Sequence, residues 1–431
     1  MSMVLTRYSP LRSGLLLALA SAALSGCTDQ PPPPGGELSV DALIARGSLR
    51  IDLAASASDP TVVADAHDLV TRTLDQVAGL DLGDRHQLSI RFLGKGRVGA
   101  SPETRADAPS AAPDAPALTG FDAFNPVTRN EFRIELGGGA LEAIGRSLSL
   151  RGLDAGSAPG AENAISFSWS NGDDDRYRLY GLNAPVTNSA HRTLVRLGSG
   201  CSGTLVGPRH IVTAGHCLYD RETDTWSDLF WARAGRNGTS NVAQVFVDSE
   251  NIPGGQALWY FTPPQYRAET GSTFGYDFGI LVVPARLGDT AGWMGRVTYS
   301  AASLGAATIY RRGYPACDVA SRTDDPVPCD DHHIYANAAA CEVGEFQSVD
   351  VDGWSRIIHH SCDASAGDSG SPLYVYHDGT PSVTAVHIAS LCEAYPGDNA
   401  CTGTLVDRPL AATRLTPEYR DWIGYFRELF P

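Results

Sequence analysis

The sequence has no apolar run long enough to cross a membrane as a helix. Its most apolar stretch extends only from Gly14 to Leu24, which is shorter than the roughly 20 apolar residues that a spanning helix needs. Positive charge is also scarce, since 33 Lys and Arg are set against 49 Asp and Glu, for a net charge of −16. Binding to phosphates requires clustered basic residues, so the composition argues against a nucleic-acid partner.

The sequence also lacks a C-x-x-C pair among its nine cysteines, which removes a common zinc-binding spacing. The adjacent histidine pairs His332-His333 and His359-His360 are weak alternatives, because neighbouring residues in a strand face opposite ways. We therefore predict no metal site and no other cofactor.

The first 27 residues have the features of an export signal. Arg7 and Arg12 precede the short apolar core, and small residues lead to Cys27. The tetrapeptide LSGC resembles a bacterial lipoprotein processing box, in which cleavage leaves the cysteine as a lipid-bearing first residue. We predict a signal peptide over residues 1–27 and attachment to a bacterial membrane or cell surface through Cys27. The alternative is a simple signal peptide followed by an unpaired thiol.

Export favours disulfides, because the compartments outside the cytoplasm are oxidising. Removal of Cys27 leaves an even number of cysteines, and many connectivities are possible for such a set. Proximity along the chain is the only guide to pairing. It favours Cys201 with Cys217, Cys317 with Cys329, Cys341 with Cys362, and Cys392 with Cys401.

Composition divides the rest of the chain into three parts. Residues 28–36 are rich in Pro and Gly and predict an extended tether. Residues 37–164 contain a helical pattern at 64–80 and a Pro-, Ala- and Ser-rich stretch at 101–118 that is typical of disorder. This part is either a pro-segment or an accessory region. Residues 165–431 contain short strand-like runs separated by turn residues.

The strand-like runs predict a sandwich or barrels. Near the end of the chain, EYRDWIGYFRELF places Trp422, Ile423 and Phe426 at helical spacing. We expect this segment to form a C-terminal helix that packs on the β core.

Three segments carry residues suited to hydrolysis by a serine. TAGHC places His216 after a strand, GYDFGILVV places Asp277 before an apolar strand, and AGDSGSP places Ser369 in a glycine-rich segment. A serine nucleophile needs a base, a carboxylate that orients the base, and donors for the developing oxyanion. The order His, Asp, Ser differs from that of α/β-hydrolases and of subtilisins.

Together, TAGHC, YDFGIL and GDSGSP resemble the His, Asp and Ser boxes of chymotrypsin-like (trypsin-like) serine proteases. CSGTLVGPRHIVTAGHC, the GYP at 313–315 and CDASAGDSGSP are most similar to the bacterial V8-like or glutamyl endopeptidase branch. The resemblance covers roughly residues 171–431. It implies an all-β fold of two antiparallel β-barrels with a C-terminal helix and an active site between the barrels.

The resemblance further implies a monomeric serine endopeptidase that cuts polypeptides through an acyl-enzyme intermediate. In that mechanism His216 is the general base, Asp277 orients it, and Ser369 is the nucleophile. The backbone N–H groups of Gly367 and Ser369 form the oxyanion hole. A catalytically silent protein that binds partners and a serine esterase on the same fold are the alternatives.

Two residues point to opposite substrate preferences. Asp363 lies where a carboxylate in trypsin-like enzymes pairs with a substrate Arg or Lys, whereas His387 resembles the histidine that V8-like enzymes use to hold a substrate Glu. The resemblance leaves acidic, basic and broad specificity open. The mode of activation also has two alternatives. Asp368 either binds the N-terminal ammonium of a freshly cut chain, or it bonds to local donors in a site that is already formed.

Overall fold

The computed structural model describes residues 49–53, 58–77, 88–99, 118–137, 176–229, 231–247, 258–267, 274–315, 331–338, 340–347, 356–390 and 410–431. The predicted signal peptide, Cys27, the tether and nearly all of the stretch predicted to be disordered lie outside these residues. So do the predicted pairs Cys317–Cys329 and Cys392–Cys401.

Helices are few among the described residues. They are α1 (Pro60–Val77), α2 (Ser189–Arg192), α3 (Pro264–Arg267), α4 (Leu287–Ala291), α5 (Ala301–Gly305) and α6 (Pro417–Leu429), together with 3₁₀ turns at Gly215–Cys217 and Phe274–Tyr276. None of these described helices is both long and apolar enough to span a membrane.

Short strands make up most of the regular structure. In the N-terminal part they are β1 (Leu49–Asp52), β2 (Leu88–Lys95), β3 (Val98–Gly99), β4 (Gly120–Phe124) and β5 (Asn130–Leu136). In the central part they are β6 (Tyr177–Arg178), β7 (Leu194–Leu197), β8 (Ser202–Leu205), β9 (His210–Thr213), β10 (Tyr219–Asp220), β11 (Thr225–Ser227), β12 (Trp231–Ala234), β13 (Ala243–Phe246), β14 (Trp259–Thr262) and β15 (Gly279–Val282). The remainder are β16 (Gly295–Arg296), β17 (Tyr310–Gly313), β18 (Tyr335–Ala336), β19 (Val343–Gln347), β20 (Ile357–His360), β21 (Pro372–His377), β22 (Thr380–Ser390) and β23 (Leu410–Arg414).

Most of the strands form two large sheets, and most of their pairs are antiparallel, whereas β10, β11 and β3 form a small third sheet. The first runs in the order β1-β2-β5-β4-β14-β15-β9-β8-β7-β12-β13, and the second in the order β19-β20-β23-β22-β21-β17-β18-β6. β7 to β9 and β12 to β15 make up the first half-barrel, and β17 to β23 make up the second. The predicted all-β double-barrel fold is therefore confirmed.

The N-terminal part continues the sheet of the first half-barrel. β4 pairs antiparallel with β14, with Phe124 opposite Tyr260 and Asp122 opposite Thr262. The predicted helix is present as α1, but β4 and β5 were not predicted. Every residue of β4 is buried, so its sequence GFDAF lacks the apolar–polar alternation by which a half-exposed strand is recognised.

The C-terminal helix α6 packs on this shared sheet, as predicted. Thr416 caps its first turn by accepting a hydrogen bond from the backbone N–H of Tyr419. The ring of Phe426 lies 4.0 Å from that of Phe261 on β14 and 5.3 Å from that of Phe121 on β4, between ring centroids. Aromatic burial of this kind contributes strongly to core stability, so α6 joins the N-terminal part to the first half-barrel.

Two disulfides are present among the described residues. Cys201–Cys217, with Cα atoms 6.0 Å apart, joins the turn after β7 to the 3₁₀ turn after β9. Cys341–Cys362, with Cα atoms 4.9 Å apart, joins the segments that flank β19 and β20. They are two of the four pairs that proximity favoured.

Candidate active site

His216 lies in the 3₁₀ turn that follows β9, and its side chain is buried. The disulfide from the neighbouring Cys217 to Cys201 fixes this turn against the start of β8. The backbone N–H of Leu218 closes the turn on the carbonyl of Gly215. The imidazole is therefore held by a short, covalently restrained loop.

Asp277 forms two hydrogen bonds with His216. Its Oδ1 accepts the backbone N–H of His216 at 2.8 Å, and its Oδ2 lies 2.8 Å from His216 Nδ1. The pairing of β9 with β15 brings the two loops together, since Thr213 lies opposite Gly279. The absence of a side chain at Gly215 favours this close approach, because a Cβ there would lie 3.1 Å from Asp277 Oδ1.

The second half-barrel supports Asp277 from the other side. Thr413 on β23 donates its hydroxyl to the backbone carbonyl of Asp277 at 3.0 Å. The side chain of Asp277 is 9% exposed, so its orientation depends on these contacts rather than on solvent. Asp277 thus lies at the junction of the two half-barrels.

The pKa of His216 reflects two opposing effects. Burial disfavours the charged imidazolium and lowers the pKa, whereas the charge of Asp277 and its hydrogen bond to Nδ1 raise it. The net result is a pKa raised above the ordinary value of 6.5. With Nδ1–H directed at the carboxylate, Nε2 of the neutral ring is left as the proton acceptor.

Ser369 lies in a tight turn before β21 and is partly exposed. Its carbonyl accepts the N–H of Ser202 at 2.8 Å, and the following amide, of Gly370, donates to the carbonyl of His387 at 2.8 Å. A Cβ at Gly370 would overlap the carbonyl oxygen of Ser202 and the hydroxyl of Thr213. Because Thr213 ends the strand that leads to His216, this turn lies against the loop that carries the imidazole.

The turn also presents the predicted oxyanion donors. Gly367 has φ +86, a conformation that glycine adopts without strain, and its carbonyl accepts the hydroxyl of Ser202 at 2.8 Å. Within the residues that the structure describes, the amides of Gly367 and Ser369 donate to no protein acceptor. Their role as oxyanion donors remains a prediction.

Asp368 is fully buried between two arginines that the sequence analysis did not assign to the site. Its Oδ2 accepts Arg176 Nη1 at 3.0 Å and the amide of Ser365 at 3.0 Å. Its Oδ1 pairs with Arg311. RYRLYG and YRRGYP contain these arginines, but the sequence shows no spacing or periodicity that links either one to the glycine-rich turn.

His387 and Asp363 lie in different environments. His387, 3% exposed, has its Nδ1 at 3.1 Å from Nε2 of His360, a partner that was not predicted. Asp363 is partly exposed, and its backbone carbonyl accepts Arg311 Nη1 at 2.7 Å. Burial, together with nearby Arg311, holds the pKa of both histidines well below 6.5, so both rings are neutral in the free site.

The tautomers of the two histidines follow from one backbone contact. The amide of Cys362 donates to His360 Nδ1 at 3.2 Å, so the proton of that neutral ring is on Nε2. His360 Nε2–H then donates to His387 Nδ1, which places the remaining proton on His387 Nε2. His387 is thereby fixed as a hydrogen-bond donor.

Among the residues that the structure describes, the histidine pairs considered for a metal do not form a ligand cluster. In the described part of the chain, the one group of three potential ligands within 4.8 Å of one another is Cys201, His216 and Cys217. The sulfur atoms of Cys201 and Cys217 are bonded to each other in the disulfide, whereas zinc ligands must be free thiolates.

Comparisons with known proteins identify the family of the chain. The family model described as Trypsin matches residues 180–423. The chain is similar to glutamyl endopeptidase of Bacillus licheniformis, with 26% identity over 247 residues, 55% of this chain and 65% of the relative. It is also similar to an extracellular metalloprotease of Bacillus subtilis, with 27% identity over 229 residues, 50% of this chain and 61% of the relative.

A solved structure of a Glu endopeptidase in complex with MPD covers 60% of this chain and 98% of its own, at 19% identity and a TM-score of 0.41. The chain spans less than two thirds of the length of the two curated relatives. The family model, in contrast, matches more than half of the chain. The protein belongs to the trypsin family.

Proposed function

We propose that the protein is a serine endopeptidase that hydrolyses peptide bonds through an acyl-enzyme intermediate. Ser369 attacks the carbonyl carbon while His216 takes its proton, and Asp277 orients and stabilises the imidazolium. The amides of Gly367 and Ser369 stabilise the oxyanion. His216 then returns the proton to the leaving amine, and water releases the acyl group by the same steps.

The observation that carries this proposal is the pair of hydrogen bonds from Asp277 to His216, at 2.8 Å to the backbone N–H and 2.8 Å to Nδ1. A histidine that serves only the core needs one satisfied partner. A general base needs a fixed ring and a fixed tautomer, with the opposite nitrogen available. The unoccupied amides of Gly367 and Ser369 lie in the turn next to this histidine.

Fluorophosphonate labelling tests the proposal directly, because the reagent phosphonylates an activated serine. We expect mass spectrometry to locate the adduct on Ser369, and the Ser369→Ala variant to give neither adduct nor peptide cleavage while its circular dichroism is unchanged. Ser371→Ala is the matched control and retains labelling. Absence of labelling in the wild type would instead indicate a silent member of the family, and hydrolysis of esters alone would indicate an esterase.

We further propose that the enzyme cuts after acidic residues, with His387 as the donor to the substrate carboxylate. The Cys362 amide donates to His360, and His360 donates to His387 Nδ1, so the proton on His387 Nε2 is available for a substrate carboxylate. Arg311 and Arg176 also act electrostatically on His387, so the surroundings favour an anion. The carboxylate of Asp363 cannot donate a hydrogen bond to a substrate anion, and its backbone carbonyl accepts one from Arg311.

A peptide library that varies only the residue before the scissile bond tests this preference. We expect cleavage after Glu, and a reduction in kcat/KM for Glu of about 10- to 100-fold in His387→Leu, because a hydrogen bond to a charged group is lost. Asp363→Asn is the control and keeps the Glu preference. Cleavage after Lys or Arg that disappears in Asp363→Asn would establish the opposite specificity.

We also propose that the protein acts outside the cytoplasm as a lipid-anchored monomer. Residues 1–27 are the signal peptide, 28–36 the tether, 37–164 a pro-segment or accessory region, and 165–431 the protease part. The two disulfides support an oxidising compartment. Cys27→Ser is expected to move the protein from the membrane fraction to the soluble fraction, whereas unchanged fractionation would exclude the lipid anchor.

A further inference from the structure

Asp368, directly before the proposed nucleophile, carries a fully buried carboxylate. In the described part of the chain it forms ion pairs with Arg176 and Arg311 and accepts the backbone amide of Ser365. A buried charge requires such compensation. The two guanidinium groups pair with both oxygens of the carboxylate, so no further cation is needed to compensate its charge.

The two arginines reach Asp368 from separate segments that are joined through β18. Arg176 immediately precedes β6, which pairs with β18, and β18 pairs with β17, which carries Arg311. The amide of Leu179 adds a further bond to the carbonyl of Ile334 at 3.0 Å. The backbone of Arg176 is thus held in place while the preceding residues of the chain are still attached.

Arg176 also acts on the rest of the turn. Its Nη1 donates to the hydroxyl of Ser365 at 2.9 Å as well as to Asp368. Ser365 starts the turn whose closing bonds run from the amide of Asp368 to the carbonyl of Ser365 and from the amide of Ser371 to the carbonyl of Asp368. Arg176 therefore links both ends of the segment that contains the oxyanion donor Gly367.

We propose that Arg176 is a positioning residue that holds the oxyanion turn in its active form in the uncut chain. This inference rests on the proposed endopeptidase function. Of the two interpretations left open for Asp368, the pre-formed site is the one that these contacts support, because Arg176 occupies the position that a newly freed ammonium would need. The enzyme then requires no cleavage upstream of Arg176 to become active.

The first test compares Arg176→Met with Arg178→Met, a change of the same type two positions later that does not touch Asp368. We expect kcat to fall about 100-fold in Arg176→Met, as when an oxyanion donor is lost, with KM changed by less than about threefold because the substrate pocket is intact. Arg178→Met should retain wild-type kcat. Equal kcat values for the two variants would overturn the proposal.

The second test uses the pH profile, which a merely structural role would not alter. An arginine stays charged to above pH 12, whereas an α-amino group loses its charge near about pH 8. We expect wild-type kcat to stay level through this range, and Arg176→Lys to lose activity as the pH rises towards the ordinary lysine pKa of about 10.4. Ethylguanidinium should restore activity to Arg176→Ala. A wild-type decline near pH 8, or no rescue, would contradict the inference.

The third test separates this inference from the proposed function. The full chain, verified as uncut by mass spectrometry, and a chain cut upstream of Arg176 are each labelled with a fluorophosphonate. Equal labelling supports a pre-formed turn. Labelling of the cut chain alone would reject the role of Arg176 and leave the endopeptidase function standing, whereas no labelling of either chain would reject both.

Discussion

The hydroxyl of Thr73 in α1 and the phenol of Tyr425 in α6 are hydrogen-bonded at 2.7 Å across 352 residues of sequence. Both side chains are fully buried. Since the threonine hydroxyl donates to the carbonyl of Leu69 at 2.6 Å, Tyr425 is the donor in this pair. The N-terminal helix and the C-terminal helix are therefore joined by a polar contact inside the core.

Removal of that acceptor should destabilise the fold. Thr73→Val keeps the shape of the side chain but leaves the Tyr425 hydroxyl without a partner, which costs about 1–3 kcal/mol. We expect that loss in urea denaturation, measured in a Ser369→Ala background to prevent self-digestion. Thr71→Val, on the exposed face of the same helix, is the control. Equal stabilities of the two variants would show that the buried contact contributes nothing.

Substitution of the orienting carboxylate should abolish most of the activity. In Asp277→Asn the neutral amide no longer favours Nδ1–H or the imidazolium, so kcat is expected to fall by about 10⁴-fold. Burst kinetics with an activated ester measure the acylation step. Asp289→Asn changes a half-exposed surface acid paired with Arg286 and should leave kcat unaltered. A loss below tenfold in Asp277→Asn would remove Asp277 from the mechanism.

The raised pKa of His216 predicts the acid limb of the pH profile. Only the neutral imidazole can accept the proton of Ser369, so kcat/KM should fall as the pH drops through a midpoint above 6.5. Asp277→Asn removes the charge that raises the pKa and should shift the limb to lower pH. A wild-type midpoint well below 6.5 would mean that burial outweighs the carboxylate.

The ionisation of His216 also affects stability, but with the opposite dependence on pH. Because the folded-state pKa of His216 is raised, its contribution to stability is complete below the unfolded pKa and is lost as the pH rises through the folded pKa. The stability difference between wild type and His216→Gln should therefore shrink with increasing pH in that window. Chemical denaturation at several pH values measures this difference, and a difference that grows with pH would contradict the assignment.

The Cys201–Cys217 disulfide should contribute both stability and activity. It closes a loop with a sequence separation of 16, for which the chain-entropy model gives about 3 kcal/mol. The Cys201→Ser, Cys217→Ser double variant should lose about that much in urea denaturation and should also lose kcat, because the turn that holds His216 is released. An unchanged kcat would show that Asp277 alone is sufficient to fix the imidazole.

The residues most accessible to sequence analysis were those in short motifs with a fixed chemical order. His216, Asp277 and Ser369 were assigned from their own boxes, and the bond between His216 and Asp277 is present. Their catalytic roles remain predictions. The C-terminal helix was predictable because Trp422, Ile423 and Phe426 repeat at helical spacing over a segment of sufficient length.

The residues that were missed depend on contacts between distant segments. Arg176 and Arg311 meet Asp368, and His360 meets His387, only after the second half-barrel has formed. No local sequence pattern predicts these contacts, because the charge of an arginine or the ring of a histidine does not specify which distant residue it will contact. β4 was missed for a different reason: its complete burial removes the alternation that distinguishes a strand, and its central residue, Asp122, is charged.

The pairing of β4 with β14 has a consequence for any cut that falls between residues 137 and 176. The fragment that carries β4 would still be hydrogen-bonded along one edge of the first half-barrel and packed against α6. Such a nicked molecule would elute from a sizing column as a single particle and separate into two bands only in detergent, so severing the backbone is not the same event as releasing the fragment.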